Sequence, residues 1–123
     1  MAVQYDNTAK NLMLDALTAV CTRLALHSGD PGGANSATNE LTGGSPAYAR
    51  KAIAFNAASS GSADDSTNGI DFDVPASTVA WISGWNTAGT VRYFKKQVTS
   101  EVFAAQGIYR VTDADLDLNN DPA

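Results

Sequence analysis

The 123-residue chain is poor in the residues that do chemistry: it has one cysteine, Cys21, and one histidine, His27. A single cysteine excludes an internal disulfide and a cysteine-rich zinc site, because structural zinc needs four nitrogen or sulfur ligands. A triad or an imidazole base would have to use His27, with Cys21 or a serine as nucleophile. Cys21 and His27 lie six positions apart on one extended run, roughly 20 Å if fully drawn out. That separation rules out a dyad. Gly43-Gly44-Ser45 and Gly61-Ser62 do not continue into Gly-x-Ser-x-Gly, and no phosphate-binding loop, dinucleotide fingerprint or zinc signature occurs. The residues call for no cofactor and no metal, and the expected class is non-enzymatic.

Charge is also scarce, at 17% of residues, with thirteen acidic against eight basic side chains and a formal net charge of −5. The densest basic group is Arg92, Lys95 and Lys96. Nucleic-acid binding needs a clustered basic face to neutralise phosphates, so that class is set aside. No run approaches the ~20 apolar residues of a membrane span, and the opening Met1-Ala2-Val3-Gln4-Tyr5-Asp6 lacks the basic start and apolar core of a signal peptide. No Asn-x-Ser/Thr acceptor is present. The expectation is a protein made in a cytoplasm and not secreted by the usual route.

What the chain does have is 44% hydrophobic residues in short patterned runs. Leu12, Met13, Ala16, Leu17 and Val20 recur at helical spacing, with Lys10, Asn11, Asp15 and Thr18 largely opposite, which predicts a helix over Thr8–Val20. Its apolar side should lid one end of a sheet or dock on a neighbouring subunit. Cys21–His27 alternates as a first strand. Ser28–Pro46 then holds Ser, Gly, Asn, Asp and Pro in a loop of nearly twenty residues, a length associated with function or with ordering by a partner.

Tyr48–Phe55 reads as a second strand, with Ile53 and Phe55 inward, and Ala57–Asn68 as another polar loop. Ile70–Val74 is a third strand with Asp71 and Asp73 outward, ended by Pro75. Val79, Trp81, Ser83 and Trp85 line one face of a fourth, Asn86–Gly89 turns, and Val91–Val98 is a fifth. Val102 and Phe103 begin a connection that turns at Gln106-Gly107, and one or two strands follow through Ile108–Val111 and Ala114–Leu118. The fold class expected is mainly β: an antiparallel β-sandwich or barrel of about six to eight strands, with one N-terminal α-helix and a long Gly-rich loop. One domain spans 1–123, with a helix region at 1–21, the sandwich at 22–118 and a tail at 119–123.

Three groups could carry a site. Asp113, Asp115, Asp117, Asn119, Asn120 and Asp121 imitate a calcium loop, but position six counted from Asp113 is Leu118 where a glycine is needed. A charged outer strand face explains them better. Asp64, Asp65, Asp71 and Asp73 could pair as glycosidase carboxylates, yet solvated acids account for them. Trp81, Trp85 and Tyr93 could stack on a sugar, but alternating tryptophans usually belong to a core. No catalytic, cofactor or metal residue is therefore assigned.

Two blocks are more distinctive: Leu24-Ala-Leu-His27-Ser-Gly-Asp30-Pro31-Gly32, and Glu40-Leu-Thr-Gly43-Gly44-Ser-Pro-Ala-Tyr48-Ala49-Arg50-Lys51. Phe55-Asn-Ala-Ala58, Phe72-Asp-Val74-Pro75 and Trp85 follow them. Across residues 22–98 this pattern resembles small virion proteins of tailed bacteriophages, notably those of actinobacteria, described loosely as tail-fibre, minor tail or head-decoration proteins. The resemblance implies a virion structural protein with no catalytic residues to carry over. With no repeat or heptad to build a shaft, the expectation is a capsid decoration or minor capsid protein, a symmetric homo-oligomer whose first partner is the major capsid protein. A tail-attached minor tail or fibre protein comes second, and a glycan-binding adhesion module is the rival. The Ser28–Pro46 loop or the N-terminal helix is expected to contact the shell.

Overall fold

Glycine, proline and asparagine punctuate the chain every few residues, so the elements between them are short. The computed structural model describes residues 1–67 and 69–118. Within them run α1 (Asn7–Thr18), β1 (Arg23–His27), β2 (Lys51–Ala52), β3 (Ser62–Ala63), β4 (Ile70–Val74), β5 (Ser77–Trp85), β6 (Arg92–Phe103), β7 (Gly107–Val111) and β8 (Leu116–Asp117). All pairings are antiparallel: a four-stranded sheet in the order β2-β1-β5-β6, and the pairs β4-β7 and β3-β8. No barrel closes. The mainly β fold with one N-terminal helix is as expected, and the last stretch forms two strands.

The core lies between the large sheet and the β4-β7 pair. Leu24, Leu26, Val79 and Ile82 from the former meet Ile70, Phe72, Val74 and Val111 from the latter, with Leu41, Ile53 and Ala114 closing the sides. β4 alternates as predicted, burying Ile70, Phe72 and Val74, while Asp71 is exposed and Asp73 half-buried. Tyr48 stacks on Phe72 at 6.3 Å between centroids.

Four elements depart from expectation. The second strand shrinks to Lys51–Ala52, because the Tyr48 hydroxyl, not a backbone carbonyl, accepts the Leu26 amide at 2.9 Å, and Phe55 bridges to Asp65 instead. The fifth strand runs on to Phe103, since β5 reaches back to Ser77 and pairs it there. β1 is buried on both faces from Leu24 to His27, so its alternation does not separate core from solvent. On β5 the register with β6 shifts between Val79 and Trp81, and both Val79 and Ile82 enter the core. The shift breaks the predicted single face: with Leu26 opposite Ile82, alternation turns Trp81, Ser83 and Trp85 to the far side of the sheet.

Candidate functional site

The far side of the large sheet is covered by the loop at 28–46, which side chains of the same chain hold in place. It buries little of its own, but it borrows a sheet face. Asp30 Oδ1 accepts the Gly32 amide at 2.9 Å, and Gly32 takes φ +92°, where glycine carries no Cβ penalty. The side chain of Arg92 donates to the carbonyls of Gly32 and Ser36, its amide donates to Asn35 Oδ1, and Lys95 Nζ donates to Asp30 Oδ1 at 2.7 Å. Two of the three clustered cations are thus spent on holding a loop. The loop then returns beside β1, where Leu41 donates its amide to the Leu26 carbonyl and Ser28 donates to that of Asn39.

Glu40 is the hub of the return. Arg50 donates to both of its oxygens, Nε to Oε2 at 2.9 Å and Nη2 to Oε1 at 2.8 Å, and the Tyr48 hydroxyl donates to Oε2 at 2.8 Å. Burial works to raise the Glu40 carboxyl, but the bonds from Arg50 and Tyr48 outweigh it and hold the group below its usual value. Burial also raises the Tyr48 phenol well above its ordinary range. The Arg50 guanidinium lies over the Trp85 ring, its Cζ 4.0 Å from the centroid.

Beneath this lid lies a polar chain that sequence reasoning missed. His27 Nε2 is 2.7 Å from Ser83 Oγ, and His27 Nδ1 is 3.0 Å from the Thr38 carbonyl. Trp85 Nε1 donates to the same Ser83 oxygen at 2.7 Å. The donors assign the protons. The Thr38 oxygen only accepts, so Nδ1 carries hydrogen; Trp85 only donates, so Ser83 gives its own hydrogen to a neutral Nε2. Burial lowers the His27 pKa and favours that neutral form. The pair has the contacts of a base and a nucleophile, but His27 and Ser83 both expose 0% of their surface, so no substrate can touch them. Its role is to join β1, β5 and the loop. The residues stand 56 apart, and only the β1-β5 register, with Ala25 opposite Ser83 and His27 opposite Trp81, makes them neighbours.

The other candidates are scattered by the fold. Trp85 is 1% exposed under Arg50, and Trp81 is half-buried with Lys95 Nζ 5.5 Å from its centroid. Burial was expected for Trp85, although in the main core rather than under the loop. Trp85 is thereby withdrawn from any sugar-stacking surface, while Trp81 and Tyr93 are both half-buried. Asp71 is paired with Arg110 at 2.8 Å on the adjacent strand. Asp65 Oδ2 accepts the Ala114 amide at 3.0 Å and Asp115 Oδ1 accepts the Asp65 amide at 3.2 Å, so these two acids stitch backbone segments together. Asn119, Asn120 and Asp121 lie outside the described residues. Cys21 is buried, and burial pushes its thiol up to about 11, leaving it protonated and inert.

Helix α1 is the surface that stands out. Asn11 Oδ1 accepts the Gly61 amide at 2.9 Å, Asp15 Oδ1 accepts the Ala58 amide at 2.8 Å, and Leu14 is the one helix residue fully buried. The helix therefore sits on the protein by a mixed face. Most of the predicted apolar stripe is turned outward: Leu12 is 68% exposed, and Met13, Ala16 and Val20 are exposed as well, while Leu17 is half-buried. Two side-chain acceptors on the helix meet the amides of the 58–61 turn, and these bonds fix which face of the helix lies on the protein.

An antiparallel β frame thus carries a polar network sealed from solvent and a helix that presents apolar side chains. The chain belongs to the family described as Podophage GP4 fiber I protein gp80, whose model matches residues 5–119. It is a phage virion structural protein of fibre type, and the match runs well past the 22–98 stretch that carried the resemblance, taking in α1 and β8. No curated protein and no solved structure matches the chain.

Proposed function

We propose that this chain is a tail-attached fibre component of a tailed phage, a non-enzymatic homo-oligomer that docks on neighbouring virion proteins after assembly in the host cytoplasm. Fibre-family membership favours the tail over the capsid shell, against the preference drawn from the missing shaft repeats. A fibre can be assembled from several chains, so one chain without repeats does not argue for the head. The observation that carries the reading is the outward apolar face of α1, Leu12 and Met13 above all, on a family member whose long loop is already committed to its own sheet. Apolar side chains held in water at helical spacing become favourable when a partner covers them, at about 25 cal/mol per Å².

Electron cryomicroscopy of the virion tests the reading. Density for this chain at the tail supports it, and density on the capsid lattice replaces it with head decoration. In parallel, L12D/M13D should leave the isolated protein folded and remove it from the particle. Full incorporation of that variant would show that α1 is not the docking element.

A further inference from the structure

A sandwich of this kind should run its sheets together at the edges or cover them, and one edge is neither. β6 pairs only with β5 and β7 only with β4 among the described residues. The two strands are joined through Ala104–Gln106, where the Phe103 and Tyr109 rings meet edge to face at 6.5 Å. Beyond that turn they diverge, because β6 follows β5 and β7 follows β4. A cleft of about 440 Å³ opens between them. Its walls are Lys95-Lys96 on β6, Tyr109-Arg110-Val111 on β7 and the run 112–117 that follows β7, which brings Asp113, Asp115 and Asp117 to the rim. The inward side chains Phe94 and Val98 and the floor residue Ile82 are apolar. Free backbone edges flanking an apolar slot have the chemistry of a strand acceptor.

We propose that this gap accepts an extended strand, and that the strand is residues 1–5 of a second copy of the chain. The inference goes beyond the placement of the protein on tail or head and does not depend on it. Met1, Val3 and Tyr5 alternate with Ala2 and Gln4, and all five residues are exposed. Their period and five-residue span match Phe94, Lys96 and Val98 on β6, so three side chains fill the slot while the backbone bonds to the strand edges. The arm makes no backbone hydrogen bond among the described residues, so giving it to a neighbour breaks none. The arm of the same copy lies elsewhere, lining a hollow of about 670 Å³ together with Lys10, Met13 and Leu118. An arm donated by one copy and received by the next is a head-to-tail contact, which closes into a ring or continues as a filament according to its rotation.

Two measurements on the full chain test this. Light scattering across a concentration series should show self-association, and V3D/Y5D should weaken it at least about tenfold through the lost apolar burial, with the near-ultraviolet circular dichroism of Trp85 unchanged. A Val3→Cys preparation mixed with a Lys96→Cys preparation should form a disulfide-linked heterodimer on mild oxidation. A chain that stays monomeric, or associates equally with V3D/Y5D, overturns the proposal. So does a doubly substituted V3C/K96C chain that closes only on itself, which would place the arm in its own cleft.

Discussion

Arg50 covers Trp85 at 4.0 Å while its guanidinium fork holds Glu40, so a single side chain seals the tryptophan and closes the long loop. The two roles use different properties of arginine. The flat face stacks and the edge donates, and lysine supplies neither in that geometry.

Arg50→Lys should therefore lose both contacts at once. The expected cost is about 1–3 kcal/mol, read by chemical denaturation, together with a changed near-ultraviolet signal from Trp85. A wild-type midpoint and spectrum would show that the stack and the fork contribute nothing.

Acid stability should report Glu40. Its carboxyl lies below the ordinary value of 4.5 in the folded protein, so its contribution is present above that value and is lost as pH falls through the depressed folded pKa. Tm should decline on that acid limb, and E40Q should lower Tm at neutral pH while flattening the decline. An E40Q profile parallel to the wild type below pH 4.5 would contradict this.

His27 adds a second, higher window of opposite chemical origin. The folded pKa lies below 6.5, so the unfolded chain binds the extra proton first; stability is full above about that pH and is lost as pH falls from it toward the folded pKa. Ser83→Ala probes the same network without titration. It strands both His27 Nε2 and Trp85 Nε1 in a buried site, at about 1–3 kcal/mol for each group left unpaired. An exposed control, Ser66→Ala, should stay within about 0.5 kcal/mol.

Gly84 is a packing prediction. A Cβ built there would lie 2.1 Å from the Phe94 ring, which crosses the glycine from the adjacent strand. Gly84→Ala should cost about 1–3 kcal/mol, and Phe94→Leu should recover part of the loss in the double variant. Strictly additive losses would mean that the ring is not what the new methyl meets.

On α1 the contrast is between two leucines two positions apart. Leu14→Ala should destabilise the isolated protein by about 2–5 kcal/mol, whereas Leu12→Ala should fall within about 0.5 kcal/mol. Comparable losses at both positions would mean that the helix sits by the face its spacing predicts.

Much of the frame was legible in the sequence. Ile70–Val74 announced its inward side chains because that strand has one wet face, and Asn86–Gly89 announced a turn because the Asn86 side chain accepts the amides of Thr90 and Val91 locally. The two blocks that carried the phage resemblance turn out to hold most of the loop's own anchors: His27, Asp30, Glu40, Tyr48 and Arg50. Less was legible wherever a choice depended on residues far away. The turned helix needed the amides of Ala58 and Gly61 to be in place, and the broken face of β5 needed the shifted partner on β6.

Local patterning by itself determined the helix, the chief strands, the mainly β class and the shortage of reactive groups, since each depends on side chains within a few positions of one another. Tertiary structure alone decided which way α1 faces, that Ser83 lies against His27, and that a slot separates β6 from β7. Those outcomes depend on strand register and on donors and acceptors meeting, and both are satisfied only when segments about fifty residues apart come together.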